Sequence, residues 1–362
     1  MSGTSFPTKI MTVKSTVDSK GKGTIRIKEV QLPRSREGYA LVQIQAVALN
    51  PSDWQKAFFL PVQGATLGID FAGVIAEIRE GGPSELQVGD RVFGMTMNCN
   101  AFEHEDGCFG EYAVVKQHLL ARLPERLPFS IGCTLGTAVV TTSLALYRCL
   151  GLEFPSARSS LPRKDEFVLI YGGSTATGTI MIQFAKLSGY RVIATNRPHN
   201  DELVLASGAE KTFDYTQEQC AQDILRYTNG ALANVVDCIS QKSSASICSM
   251  AIGKARGKIC FLLPLENMKI LREDVKYEVI YAYSAFGEAF EIGLDRVLME
   301  STKADVEIAT ATLALAELLL SSDRLKPHPI QKRQGGLNGI PKGLKDLQDG
   351  NVSGKKLVYE LR

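Results

Sequence analysis

The chain has 362 residues, 44% hydrophobic and 22% charged, the balance of an ordinary globular protein with enough length for two domains. Lys and Arg number 41 and Asp and Glu 39, a net charge of +2, so neither nucleic acid nor a membrane surface is an expected partner. Met1 to Lys20 lacks an apolar secretory run, and the eight cysteines form no Cys-x-x-Cys pair, so they read as reduced thiols of a cytoplasmic enzyme.

The first third has the grammar of β-structure. Tyr39 to Ala48 alternates, with Val42, Ile44, Ala46 and Ala48 on one face and Gln43 and Gln45 on the other. Gly73 to Ile78, Arg91 to Phe93 and Phe109 to Val115 follow as strands between glycine turns, a pattern that suggests a barrel. Leu127 to Leu152 is the most apolar stretch, but it carries Arg148 and reads as a core helix. Pro155 to Pro162 reads as a linker. Phe167 to Tyr171 (FVLIY) is the continuous apolar run of a strand buried on both faces. A helix over Thr177 to Leu187 and a strand over Arg191 to Thr195 come next, then a helix over Asp201 to Ser207. Strands are predicted at Lys211 to Phe213, Asn234 to Cys238 and Lys258 to Leu263. Strand and helix alternating at this spacing predict a parallel sheet with crossover helices. Helices are predicted over Ala304 to Leu320 and Ile340 to Leu347, and the closing Lys356 to Leu361 alternates like a strand that could return to the first domain.

Gly172-Gly173-Ser174-Thr175-Ala176-Thr177-Gly178 joins the first parallel strand to its helix. Glycines there let the backbone approach a pyrophosphate, and the helix N-terminus offers unpaired N–H groups. Ser174, Thr175 and Thr177 are read as hydroxyl donors. The next strand ends in Arg197-Pro198-His199-Asn200, where an NAD enzyme would carry an acid for the ribose 2′-hydroxyl. Arg197 suits a 2′-phosphate instead, with His199 and Asn200 as hydrogen-bonding groups, and points to NADP(H). Tyr215, at the end of the third strand, is either a cofactor contact or a packing residue. Leu49 to Trp54 has no Cys or His for a catalytic zinc, and no metal is expected. There is no Gly-x-Ser-x-Gly elbow or Walker loop.

Asn50-Pro51-Ser52-Asp53, Gly68-Ile69-Asp70-Phe71-Ala72-Gly73, Gly89-Asp90-Arg91-Val92-Phe93-Gly94 and Phe109-Gly110-Glu111-Tyr112 resemble the zinc-independent branch of the medium-chain dehydrogenase/reductase superfamily. Tyr171 to Thr177 (YGGSTAT), Ser188-Gly189-Tyr190, Pro198-His199-Asn200, Phe213-Asp214-Tyr215 and Phe286-Gly287-Glu288 are similar to the fungal trans-acting enoyl reductases. The resemblance implies an α/β protein: a GroES-like β-barrel catalytic domain (1–157 with 291–362) and a doubly wound Rossmann cofactor domain (158–290). It implies that Ser52, Asp53, Trp54 and Gln55 line the nicotinamide end. Ser174, Thr175, Ala176 and Thr177 would hold the pyrophosphate, and Arg197, Pro198, His199 and Asn200 the 2′-phosphate. Leu262 and Leu263 would meet the nicotinamide through backbone, and Gly354 and Lys355 would close over the cofactor. The substrate tunnel would be lined by Thr141, Thr142, Ser143, Leu144, Ala145, Leu146, Tyr147 and Arg148, and by Ser284, Ala285, Phe286, Gly287 and Glu288.

The implied reaction is NADPH reduction of an α,β-unsaturated polyketide thioester tethered to a partner polyketide synthase or polyketide–peptide hybrid synthase. Thr141 is the expected donor to the developing enolate. Relatives often carry Lys where this chain has Gln55, with Lys56 next; these two are the candidate proton donors. Arg158, Arg163 and Lys164 are candidate contacts for the carrier arm. The competing readings are a stand-alone NADPH quinone or enone oxidoreductase, and a cofactor-binding protein without chemistry. Oligomeric state is open, a monomer being compatible.

Overall fold

In the computed structural model, residues 6–82, 85–157, 159–253, 257–265 and 272–361 are described. The chain divides into two compact units: Met1–Thr137 with Tyr283–Thr302 and Pro329–Arg362, and Ala138–Ala282 with Lys303–His328.

The first unit is the β-rich one. Lys9–Val17 (β1) and Gly23–Gln31 (β2) form an antiparallel hairpin. Tyr39–Ala48 (β3), Asp70–Ile78 (β4), Arg91–Met95 (β5), Tyr112–Lys116 (β6) and Leu120–Arg122 (β7) supply most of a seven-stranded sheet. The apolar face of β3 is shut off from solvent, with Val42, Ile44, Val47 and Phe71 in one core. Burial of that face fixes the register, because a one-residue slip would turn it to water.

The second unit carries a six-stranded sheet of Phe167–Tyr171 (β8), Arg191–Asn196 (β9), Lys211–Asp214 (β10), Asn234–Asp237 (β11), Lys258–Phe261 (β12) and Lys276–Val279 (β13). All pairs are parallel and the order is β10-β9-β8-β11-β12-β13. The order reverses between β8 and β11, the switch point where a doubly wound sheet binds its ligand. FVLIY is buried at all five positions, as a central strand covered on both faces requires.

The chain then returns to the first unit. Phe290–Ile292 (β14) and Val297–Met299 (β15) make a small hairpin, and Ile330–Arg333 (β16) pairs in parallel with Lys356–Glu360 (β17). Strand β17 runs antiparallel beside β3, so the closing KLVYEL strand does complete the barrel sheet.

The observed division differs from the expected 158 and 290 boundaries. Residues 138–157 and helix Lys303–Ser321 both belong to the second unit. The reason is packing and charge. The helix packs on the π-helical segment Ser143–Cys149, and Arg148 is paired with Asp305 at 3.0 Å and with Glu278. Phe129–Cys149 is long and apolar enough to cross a membrane, but 83% of its most apolar window is buried inside the protein, so it is core.

Candidate active site

The turn after β8 is a cradle that side chains would fill. Gly172 has φ +84°. A Cβ on Gly173 would lie 2.7 Å from that of Ala194, and one on Gly178 would lie 2.4 Å from the Gly172 carbonyl oxygen. Only glycine lets this backbone lie so close to the sheet. Helix Ala176–Leu187 starts here with Thr175 as its cap: Thr175 Oγ accepts from Gly178 N–H at 2.9 Å and donates to Gly172 O at 2.8 Å. Its one proton is therefore used, and Thr175 shapes the turn rather than offering a hydroxyl donor. Ser174 and Thr177 are half-buried. The geometry suits an anionic pyrophosphate at a helix N-terminus.

Parallel pairing places Asp214 beside Asn196, so the next residues, Tyr215 and Arg197, end side by side. Arg197 Nε donates to Tyr215 Oη at 3.0 Å, and the Tyr215 ring lies 5.8 Å from that of Tyr171. Tyr215 thus orients the guanidinium. Pro198–Asn200 form an exposed turn, with His199 exposed and Asn200 half-buried. Two acids also lie here. Asp201 accepts from the Asn196 amide at 2.7 Å, and Asp214 is held below the usual carboxylate range by the Thr216 backbone and hydroxyl and by Gln217. Both carboxylates are engaged, and Arg197 beside them is exposed.

At the ends of β11 and β12, Ser240 adopts φ +55° and its Oγ accepts the N–H groups of Leu262 (3.0 Å) and Leu263 (3.2 Å). Ser240 N–H in turn donates to the buried Asp237, which also takes the Ser244 hydroxyl at 2.6 Å. Leu262 and Leu263 are held in place with their N–H groups used, leaving their carbonyls as the available backbone groups.

The 141–148 stretch sorts its residues by role. Thr142 Oγ donates back to Ala138 O and Ser143 Oγ to Val140 O, both at 2.7 Å. Leu144, Ala145 and Leu146 are at most 1% exposed, so they pack the core. Tyr147 is buried against the Phe154 ring at 4.9 Å, and Arg148 is taken up by its two acids. Thr141 alone among the three hydroxyl residues has a side chain with no hydrogen bond among the described residues.

In the first unit, helix Pro51–Phe59 begins with Asn50 as cap and Pro51 at its first position. Asn50 N–H donates to Asp53 at 2.7 Å, and the Asn50 amide donates to Asp70 at 2.9 Å. Asp70 is fully buried; it also accepts the Thr137 N–H (2.7 Å) and hydroxyl (2.8 Å), and it pairs with the equally buried Lys356. Burial drives the Asp53 carboxyl well above its ordinary range. This network clamps the first turn of the helix, Ser52 to Gln55, to β4 and β17. Trp54 stacks edge-on to Phe59, and Gln55 is half-buried.

Successive helical residues diverge by about 100°, so Gln55 and Lys56 point differently. Lys56 lines a cavity of about 20 Å³ with Cys99, Asn98, Tyr283, Glu291 and Arg296 among its walls; Gln55 does not.

The 284–288 stretch is pinned to the barrel: His118 bonds Ala285 O at 2.9 Å, and Glu288 takes the Tyr39 hydroxyl at 2.9 Å and pairs with Lys116. Ala285 and Phe286 are buried in packing, Ser284 is 8% exposed, and Gly287 turns outward at φ +75°. Gly354 (φ +60°) and the exposed Lys355 lead into β17. Of the linker cations, Arg163 lies 3.2 Å from Glu210 and Lys164 lies 2.8 Å from Glu153, in surface ion pairs; Arg158 lies outside the described residues. Among the described residues no three His, Cys, Asp or Glu side chains gather to hold a metal.

Residues 36–125 match the alcohol dehydrogenase GroES-like domain. A trans-enoyl reductase of Alternaria alternata is 38% identical over 94% of this chain and 97% of its own. One from Penicillium oxalicum is 39% identical over 94% and 90%. The chain belongs to the trans-enoyl reductases. Solved structures agree on the fold. An alcohol dehydrogenase superfamily protein from Novosphingobium aromaticivorans superposes with a TM-score of 0.75 at 21% identity, covering 98% of this chain and all of the other. The CurK enoyl reductase gives 0.72 at 18% identity, over 98% and 99%.

As a trans-enoyl reductase, the protein is an oxidoreductase. The sequence reading of the reductase missed the Asn50–Asp53–Asp70–Lys356 network and Ser240. Asp70 did leave a signal: an acid inside the apolar strand GIDFAGVIA has no solvated face to occupy. Ser240 left none, because its role comes from a positive φ.

Proposed function

We propose that this reductase uses NADPH to reduce the α,β double bond of a polyketide thioester held by a partner polyketide synthase or polyketide–peptide hybrid synthase. The observation that carries the reading is likeness to trans-enoyl reductases along 94% of the chain. The glycine cradle and the Arg197–Tyr215 pair support the cofactor assignment. When bound, NADPH supplies the hydride for the substrate's β-carbon.

The chain's own residues do the rest. Gly172 to Thr177 would receive the pyrophosphate through backbone N–H groups and the Ser174 and Thr177 hydroxyls. Arg197, held by Tyr215, would pair with the 2′-phosphate. Thr141 would donate its hydroxyl to the thioester oxygen as enolate charge builds there. The α-carbon then needs a proton, from water or from Gln55 or Lys56 through water.

Replacing Arg197 with Ala is expected to weaken NADPH binding by about ten- to a hundredfold, the value of a charge-assisted hydrogen bond, while leaving NADH binding unchanged. Equal losses for both cofactors would remove Arg197 from 2′-phosphate recognition. The reaction itself is tested by mixing the protein with NADPH and a short α,β-unsaturated acyl-pantetheine thioester, following NADPH absorbance and the saturated product. Faster turnover of a quinone than of the thioester would overturn the enoyl-reductase reading.

A further inference from the structure

Eight free cysteines are spread through the fold, and in seven of them burial pushes the thiol pKa up. Cys149 is the exception, and its setting is the reason. It ends the π-helical segment Ser143–Cys149, which packs on β12, and its carbonyl accepts the Lys258 ammonium at 2.7 Å. Side chains two apart on a strand share a face, so Cys260 stands on the Lys258 face of β12, opposite the core residues Ile259 and Phe261. That register brings Cys260 against Cys149, and the two thiols are hydrogen-bonded to one another. Thiols in contact across two packed elements need little movement to be joined. The two are not equivalent. Cys149 lies at the rim, 5% exposed and close to the exposed Arg148 and Gly151, whereas Cys260 is closed off from solvent. The charged groups around the pair are Lys258 and Arg148, with Glu278 and Asp305 as their partners. These balance in sign, so contact rather than net charge favours the thiolate. Cys260 foremost, then Lys258 and Arg148, outweigh burial and hold the Cys149 thiol below its ordinary range.

We propose that Cys149 and Cys260 are a peroxide-reactive dithiol that closes reversibly to a disulfide, Cys149 attacking and Cys260 resolving. The Cys149 thiolate sulfur attacks one oxygen of hydrogen peroxide, and the O–O bond breaks. That oxygen stays on sulfur as the sulfenic acid; the other leaves as hydroxide and takes up a proton to become water. The Cys260 sulfur then attacks the Cys149 sulfur. The S–S bond forms, the S–O bond breaks, and the hydroxyl leaves with the Cys260 proton as a second water. Two thiols are oxidised and one peroxide is reduced. A thiol reductant reverses the closure. The chemistry is independent of enoyl reduction. The bond joins the π-helical segment to the strand that leads into Leu262 and Leu263.

The test treats the fully reduced whole protein at neutral pH with stoichiometric hydrogen peroxide, blocks the remaining thiols with iodoacetamide and reads the peptides by mass spectrometry. One disulfide is expected, joining the peptides that carry Cys149 and Cys260. It should form about tenfold faster than any of the other six cysteines is oxidised, the ratio that one unit of thiol pKa produces. Dithiothreitol should restore both thiols. Cys260→Ala removes the resolving sulfur and should leave Cys149 as a sulfenic acid that dimedone captures. In Cys149→Ala, Cys260 should lose its reactivity; oxidation there at the original rate would overturn the assignment of the attacking sulfur. In the unaltered protein, a Cys149 thiol that survives as long as the other six would overturn the proposal, and so would oxidation of Cys149 without a bond to Cys260.

Discussion

Replacing Lys356 with Met is expected to destabilise this protein by about 3 to 5 kcal/mol, the range for removing one partner of a buried ion pair. Lys356 is 4% exposed and Asp70 is not exposed at all. The ammonium touches Asp70 and, at 3.0 Å, the Asn50 side-chain oxygen Oδ1. Without it, the Asp70 carboxylate would keep only its neutral donors, Asn50 and Thr137, in a site closed to water. Met has nearly the same length as Lys, so the loss is electrostatic rather than a cavity. Thermal unfolding should show a midpoint lower by roughly 5 to 15 °C. The double variant Lys356→Met with Asp70→Asn should recover much of that loss, because it removes the stranded charge along with its partner. If the double variant is no more stable than the single one, the ion pair is not what Lys356 contributes.

Thr141→Val is expected to lower kcat by roughly a hundred- to a thousandfold, the effect of losing one well-aimed donor to a developing oxyanion. The expectation rests on a contrast within one helix. Thr142 and Ser143 return their hydroxyls to the backbone one turn earlier, where they satisfy the helix and are lost to a ligand. Thr141 keeps its hydroxyl uncommitted and is 7% exposed. Val has the same shape, so the helix should stand and NADPH affinity should hold. Thr141→Ser should retain most of the turnover. Rapid-quench measurement of the saturated thioester separates the chemical step from product release. Unchanged turnover in Thr141→Val would take Thr141 out of the mechanism.

Much of this fold is legible in the chain. Tyr39–Ala48 and Phe167–Tyr171 are strands with the bounds their patterns predict. The two differ in grammar because β3 sets the half-buried Gln43 and Gln45 between buried apolar positions, whereas Phe167–Tyr171 is buried throughout. The first turn of helix Pro51–Phe59 is marked locally as well, by Asn50, Pro51 and Asp53 at cap spacing. No strand is predicted at β1, β2, β7, β13, β14, β15 or β16. Of these, β7, β13 and β16 are sheet edges of three or four residues, and β2, β14 and β15 lie in hairpins without a clean alternation of burial.

The cofactor cradle stands between the two cases. Its glycines and its Arg197 are readable as residue types at a strand end. That Thr175 uses its hydroxyl as a cap depends on the local fold. So does the Tyr215 support of Arg197, which depends on parallel pairing of β9 with β10.

What the sequence by itself determined is the class of the protein: a β-barrel, a parallel sheet with a phosphate-binding turn, and a basic residue in place of the acid at the second strand's end. These are local properties, set by period and by glycine. Tertiary structure alone decided which side chains are committed and which are uncommitted. Asp70 and Lys356 are 286 residues apart and meet because β17 returns to the sheet containing β3 and β4. Pairing over such separations depends on which groups burial brings together, and no local pattern in the chain records it.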